Sequence, residues 1–180
     1  MPSPIAIADA PPTVLRPFSG PEDTIREMIR AVLGPRGEMS TMVKTMKDSI
    51  VRGLQPKDYL GELIAVRNFA AEKIRYSNDA LGVEQVQDPQ RTAEQIVQYG
   101  MANADCDDIA TFIACLTRQL GRETEFVVVG FGKPGSYSHV FTRAKEPKSG
   151  TFLVLDPVAG TNEQQMLSRV TTWKSWKVDR

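Results

Sequence analysis

The rarest reactive side chains of the 180-residue chain are two cysteines, Cys106 and Cys115, and one histidine, His139. A thiol and an imidazole together suggest nucleophilic acyl transfer, in which sulfur attacks a carbonyl carbon and the ring moves the proton. Any imidazole chemistry must use His139. The segment Asn103-Ala104-Asp105-Cys106-Asp107-Asp108 reads as a helix start, with Asp105 as the N-cap and Asp108 three positions on in a capping-box arrangement. A thiol in the first turn sits at the positive end of the helix dipole among unpaired amide N–H groups, which favour a thiolate and can donate to an oxyanion. The carboxylates of Asp105, Asp107 and Asp108 oppose that ionisation unless they point away or are engaged in capping. An imidazolium partner would tip the balance.

The stretch Gly135 to Thr142 alternates as a strand, with Tyr137, His139 and Phe141 on one face. A lone strand histidine is more often structural than catalytic, but Asp156 changes its context. It ends the apolar run Thr151 to Leu155, just before Pro157, where a neighbouring strand can present a carboxylate to the imidazole. Such a residue fixes the ring's tautomer and orientation, as the third member of a triad does. Asp-Pro also opens turns, so the local sequence leaves both roles open. Cys115 lies nine residues beyond Cys106 in the same expected helix. At about 13 Å between Cα atoms the two thiols cannot bridge. Two thiols on different helix faces and one imidazole do not supply the four clustered ligands of a structural zinc site, so neither metal nor cofactor is expected.

Composition narrows the partners. Lys and Arg total 22 against 22 for Asp and Glu, with a pI near 6.6, so no global positive field points to nucleic acid. No apolar run approaches the roughly 20 residues of a membrane-spanning helix. The first residues carry no basic leader, so no secretory signal is expected, and reduced thiols suit a cytoplasmic setting. Gly130-Phe131-Gly132-Lys133-Pro134-Gly135 fits a dinucleotide-binding G-x-G-x-x-G, but a strand rather than a helix follows it, so the glycines read as a hairpin connection.

The elements that must hold these residues read as helices first and strands afterwards. Pro2, Pro4, Pro11, Pro12, Pro17 and Pro21 make residues 1–21 an extended arm, a candidate attachment to an assembly partner. Residues 22–56 read as two helices, the first closed by Gly34-Pro35 and the second by Gln55-Pro56. A core domain is expected over 57–180, opening with a helix from Lys57 to Tyr76. A loop over 78–90 precedes a short helix that Thr92 can cap and Gly100 stops. The cysteine-bearing helix should run from Asp105 or Cys106 to Gly121. Strands are expected at Thr124 to Phe131, Tyr137 to Arg143, Thr151 to Asp156 and Thr172 to Val178, with a short helix from Glu163 to Val170. That order predicts an α+β fold whose sheet is mostly antiparallel. Trp173 and Trp176 are expected to cover a sheet edge.

The order of a cysteine on a helix start, a histidine on a following strand and an aspartate on the next resembles the transglutaminase-like cysteine peptidase superfamily, a rearranged relative of the papain fold. The resemblance covers about residues 57 to 160. Asp105-Cys106-Asp107-Asp108 resembles the family's Gly-Asp-Cys-Glu/Asp-Asp segment, with Ala104 where glycine is frequent. Asp88-Pro89-Gln90-Arg91-Thr92-Ala93-Glu94-Gln95 is similar to the stretch before that cysteine, His139-Val140-Phe141 to its His-x-aromatic strand, and Leu155-Asp156-Pro157 to its Asp-Pro end. The resemblance implies Cys106 as nucleophile, His139 as general base and acid, and Asp156 as orienter. The Cys106 N–H is one oxyanion donor, and Asn103 and Gln98 are candidates for the second. Hydrolysis of a peptide or protein amide is the expected activity. The alternative is a scaffold that has lost catalysis, such as a tail or connector component of a phage virion, since small members of this type resemble virion-associated proteins.

Overall fold

The computed structural model describes residues 13–15, 20–78, 84–159 and 163–179. Most of the expected arm lies outside them; within it, Thr13–Leu15 forms a short strand, β1. Helix α1 (Pro21–Leu33) starts at a proline whose φ is preset for a first turn, and Gly34 ends it. Its apolar residues at spacings of three and four, Ile25, Met28 and Val32, are buried. Helix α2 (Thr41–Ile50) is capped by the Ser40 hydroxyl, which accepts from the Val43 N–H. Helix α3 (Tyr59–Lys73) is capped by Asp58.

At the end of α3 the sequence reading and the structure part. The apolar pattern continues the helix to Tyr76, but Ile74–Tyr76 is a strand, β2. β-Branched and aromatic residues accept extended backbone readily, and here a pairing partner outweighs one more helical turn. Strand β3 (Glu84–Val86) stands where a loop is expected, and it pairs antiparallel with β1. Helix α4 (Pro89–Tyr99) begins a turn earlier than predicted: Asp88, not Thr92, is the cap, accepting from the Arg91 N–H at 2.9 Å. Gly100 ends it with φ 79°, in the left-handed region that glycine enters without a Cβ penalty. Strand β4 (Ala102–Ala104) pairs in parallel with β2 and feeds directly into helix α5 (Cys106–Gln119).

Beyond α5 the expected sheet forms. Strands β5 (Thr124–Gly130), β6 (His139–Lys145), β7 (Phe152–Leu155) and β8 (Thr172–Lys177) make an antiparallel sheet in the order β7-β6-β5-β8, with helix α6 (Glu163–Ser168) before β8. The glycine-rich segment is the β5–β6 connection. A Cβ on Gly130 would fall 1.7 Å from the Ser136 carbonyl oxygen, so the chain can double back there only over a glycine. The described residues thus form an α+β fold, and no helix among them is long and apolar enough to cross a membrane.

Helix α5 is the centre of the packing. Nearly every side chain from Asp107 to Thr117 is buried, with α1, α2, α3 and α4 around it and the sheet against it. Phe112, Ile113 and Leu116 are fully buried with Phe126 of β5, each contributing about 1.5–3 kcal/mol of apolar transfer. The same cluster includes Ile25, Met28, Val32 and Val43, so the core extends through α1 and α2. The opposite face of the sheet carries a smaller cluster of Val127, Val129 and Phe141, against which Met166 of α6 packs. Trp176 packs on the main core, whereas Trp173 is largely exposed beside the Arg143 guanidinium. Inside the core the Thr142 hydroxyl donates to the Ala110 carbonyl at 2.7 Å, tying β6 to the first turns of α5.

Candidate active site

Cys106 is the first residue of α5, so its backbone N–H has no carbonyl four residues back to bond within the helix. Asp105 caps the helix through the Asp108 N–H at 3.4 Å. The Asp108 carboxylate is held by Gln87, which donates its backbone N–H at 2.6 Å and its side-chain amide at 2.8 Å. That amide also reaches the Asn103 carbonyl at 3.2 Å, while Gln95 bridges Gln87 and the Asn103 N–H. The strand entering the cysteine is therefore fixed from two directions before the helix begins. No sequence signal marked Gln87, because a glutamine in a loop has no periodicity to betray it.

His139 opens β6, and its Nε2 lies 2.6 Å from Asp156 Oδ2 at the end of β7. Asp156 is almost completely buried. Its other oxygen accepts from the Val158 N–H at 2.9 Å and the Ala159 N–H at 3.3 Å. Both roles that the Asp-Pro sequence leaves open are filled at once: one oxygen holds the turn, the other holds the ring. With Nε2 committed, Nδ1 is the nitrogen free to meet the Cys106 thiol, which is hydrogen-bonded to the ring. Burial disfavours a charged imidazole here, but the hydrogen bonds and charges of Asp156 and Cys106 outweigh it and raise the His139 pKa to about 9. Three residues far apart in sequence thus form one hydrogen-bonded line from sulfur to carboxylate. Such a line can store a proton on the ring and return it to a leaving group.

The acidic residues beside Cys106 behave differently from one another. Asp108 is engaged by Gln87, and Asp105 by capping. Asp107 is buried, and burial foremost, then the hydrogen-bonded Asp105 carboxyl and the charge of Asp108, holds its own carboxyl well above the usual carboxylate range. The oxygens of the three lie within 4.8 Å of one another, close enough among the described residues to hold a metal ion. Crowding of this kind also favours keeping a proton on Asp107, which reduces the negative charge around the sulfur.

Cys106 and His139 open into a cleft of about 450 Å³. Thr24, Ile25 and Met28 of α1 form one wall, and Tyr137, Val128 and Val140 contribute the other. The apolar spacing in the sequence predicts α1 as a helix but does not connect it to the site; an amphipathic helix carries no mark of which neighbour it meets. On the far side of the imidazole a second hollow of about 520 Å³ is bounded by Asp156, Val158, Met166 and Arg169. Asn103 and Gln98, the two candidates for an oxyanion donor, are not among the residues lining the cleft. Both side chains are exposed, Asn103 on β4 and Gln98 on the outer face of α4.

No protein-family model matches the chain, and no curated protein matches it. Among solved structures, a crystal structure from Parabacteroides distasonis described as a "putative protease" is similar over 89% of this chain, with a TM-score of 0.60 and 10% sequence identity. The chain spans 30% of the length of that protein. At this identity the likeness concerns the fold.

Proposed function

We propose that the protein is a thiol-dependent acyl-transfer enzyme of transglutaminase-like type that hydrolyses peptide or protein amide bonds. The observation that carries this reading is the line Cys106–His139–Asp156, with the sulfur at a helix N-terminus and the ring bonded to both partners. The Cys106 sulfur attacks the amide carbonyl carbon, and the carbonyl electron pair moves onto oxygen, where the Cys106 N–H can receive it. The protonated His139 then gives its proton to the leaving nitrogen as the C–N bond breaks, leaving a thioester on Cys106. Water, deprotonated by the same ring, attacks the thioester and releases a carboxylic acid. Asp156 keeps Nε2 occupied, so that Nδ1 faces the sulfur throughout. The similarity to a chain described as a protease supports hydrolysis over transfer to a second amine.

Thiol reactivity tests the reading. At neutral pH iodoacetamide should alkylate Cys106 at least about tenfold faster than an unactivated thiol, whose thiolate fraction is only a few per cent. His139→Ala should remove that advantage. Equal rates for the wild type and His139→Ala would overturn the proposal.

A further inference from the structure

The chain as a whole is electrically neutral, but the cleft that holds Cys106 is not. Asp105 and Asp107, its neighbours in the chain, line the cleft, and no lysine or arginine does. Lys174, whose ammonium lies 5.6 Å from the centre of the Tyr137 ring, has its charge met by Glu22 at 2.8 Å. The His139 charge is met by Asp156 and by the thiolate. Two polar groups in the walls are left over. One Asp107 oxygen accepts from the Asp108 N–H at 2.9 Å, but no amide or alcohol of the described residues donates to the other, Oδ2, although the residue is only 2% exposed. Thr24 of α1 is 9% exposed, and its hydroxyl too has no partner among the described residues. Buried polar atoms without partners are costly, and two of them in the walls of one cleft mark where a ligand's polar group completes the bonding. Ile25, Met28, Val128 and Val140 give the same cleft an apolar lining.

We propose that the cleft receives a cationic side chain on an aliphatic stem, lysine or arginine, from the residue that supplies the acyl group, with Asp107 and Thr24 accepting hydrogen bonds from its head. This rests on the acyl-transfer reading above and names a substrate class for it. The apolar lining suits the methylene stem, and an ammonium or guanidinium head carries only donors, which an unpaired carboxylate oxygen and a hydroxyl lone pair lack. The three aspartates, whose carboxylate oxygens lie within 4.8 Å of one another, gain from the same charge, because a cation beside them offsets their mutual repulsion. Asp105 and Asp107 adjoin Cys106, so the cation they hold belongs to the half of the substrate that becomes bonded to sulfur, not to an amine that accepts it. The hollow beyond the imidazole offers a cation no such partner: it carries Arg169, and its one acid, Asp156, is engaged by His139, Val158 and Ala159. At about 450 Å³ the cleft is within the size range of sites that take one small ligand.

The p-nitrophenyl esters of N-benzyloxycarbonyl-lysine and N-benzyloxycarbonyl-norleucine share an unbranched aliphatic stem and differ in the terminal ammonium. Each acylates Cys106 in the same way: the S–C bond forms, the C–O bond breaks, p-nitrophenolate leaves, and water then releases the acid from the thioester. In the folded full-length chain Cys115 is fully buried, so the release that remains after subtraction of the Cys106→Ala background reports Cys106. The wild type should favour the lysine ester at least about tenfold in kcat/KM, the effect of a charge-assisted hydrogen bond. Because the ratio compares two esters on one enzyme, any effect of a substitution on the sulfur itself cancels. Asp107→Asn should bring the ratio to within about twofold of one, and Thr24→Val should lower it about threefold. Should Asp107→Asn fail to fold by circular dichroism, Thr24→Val decides alone. A wild-type ratio near or below one overturns the proposal and gives the cleft to an apolar side chain. A ratio that the deciding variant leaves unchanged overturns it too, as does lysine-ester turnover that EDTA abolishes and a divalent metal restores. Each of these outcomes leaves the acyl-transfer reading in place. Iodoacetamide alkylation of the wild type no faster than that of His139→Ala overturns the underlying reading instead.

Discussion

Helix α5 carries both cysteines of the chain, and its two ends treat them differently. Cys115, in the middle, is fully buried among apolar side chains, and burial pushes its thiol pKa upward, with the Glu38 charge adding to it. Cys106, at the N-terminus, is half-buried at the mouth of a cleft and bonded to an imidazole. The residue type is the same and so is the helix. The difference lies in what each position can see: mid-helix amides are spent on the helix itself, while first-turn amides and a facing strand are free to meet an incoming group. One thiol is a packing atom and the other is exposed to chemistry.

Substitutions that exchange these roles give the largest effects. Cys106→Ala should abolish turnover, a loss of at least about 10³-fold, with the denaturation midpoint nearly unchanged. Cys115→Ala should do the opposite, keeping turnover within about twofold while the small cavity it leaves costs about 1 kcal/mol in urea unfolding. Equal loss of activity from both would remove the contrast between the two ends of α5.

Next in size is the imidazole. Asp156→Asn should lower kcat by about 10²–10⁴, because the ring loses its fixed tautomer. On the proposed reading, in which His139 with a pKa raised to about 9 protonates the leaving group, kcat/KM should fall on the alkaline side near that pH, and Asp156→Asn should move this limb to lower pH. Folding is linked to the same proton. The folded ring holds it more tightly than the unfolded one, so the stabilisation, up to about 3 kcal/mol, is complete below about pH 6.5 and is lost as pH rises through about 9. Urea midpoints measured from pH 6 to 10 should show this fall in the wild type and a smaller one in Asp156→Asn. An alkaline limb that Asp156→Asn leaves in place would assign that proton elsewhere.

The smallest effect belongs to the tether between β6 and α5. Thr142→Val should cost about 1 kcal/mol, since a buried hydroxyl–carbonyl bond is lost while the Ala110 carbonyl keeps its place in the helix. Turnover should fall only a few-fold, and Cys106 alkylation should slow with it. Alkylation that stays at the wild-type rate would show that packing alone sets the Cys106–His139 distance.

Much of this was legible in the residues. The start of α5 at Cys106 could be read from Asp105 and the apolar residues after it, β6 from alternation, and β5 and β7 from short apolar runs bounded by glycine, proline, lysine and serine turns. The three-residue strands β2, β3 and β4 could not. Each is too short to show a period of two, and β2 is continuous with a helical pattern. Their existence depends on pairing with residues more than twenty positions away. Asp88 displaced Thr92 as a cap for a similar reason. The Arg36 guanidinium bonds Asp88 at 2.9 Å and Glu94 at 3.3 Å from another element, anchoring the carboxylate where the helix begins.

What the sequence determined by itself was chemical identity: one imidazole, a thiol at a helix start, an aspartate closing an apolar run, and the α+β order of elements around them. These follow from local forces, the capping of amides and the period of apolar side chains, which act within a few residues. The tertiary structure decided which groups meet. It brought the Asp156 carboxylate to 2.6 Å from the imidazole, buried Asp107 and made α1 a wall of the cleft. Distances between segments separated by tens of residues depend on how buried surfaces fit together, and no window of sequence contains both sides of that fit.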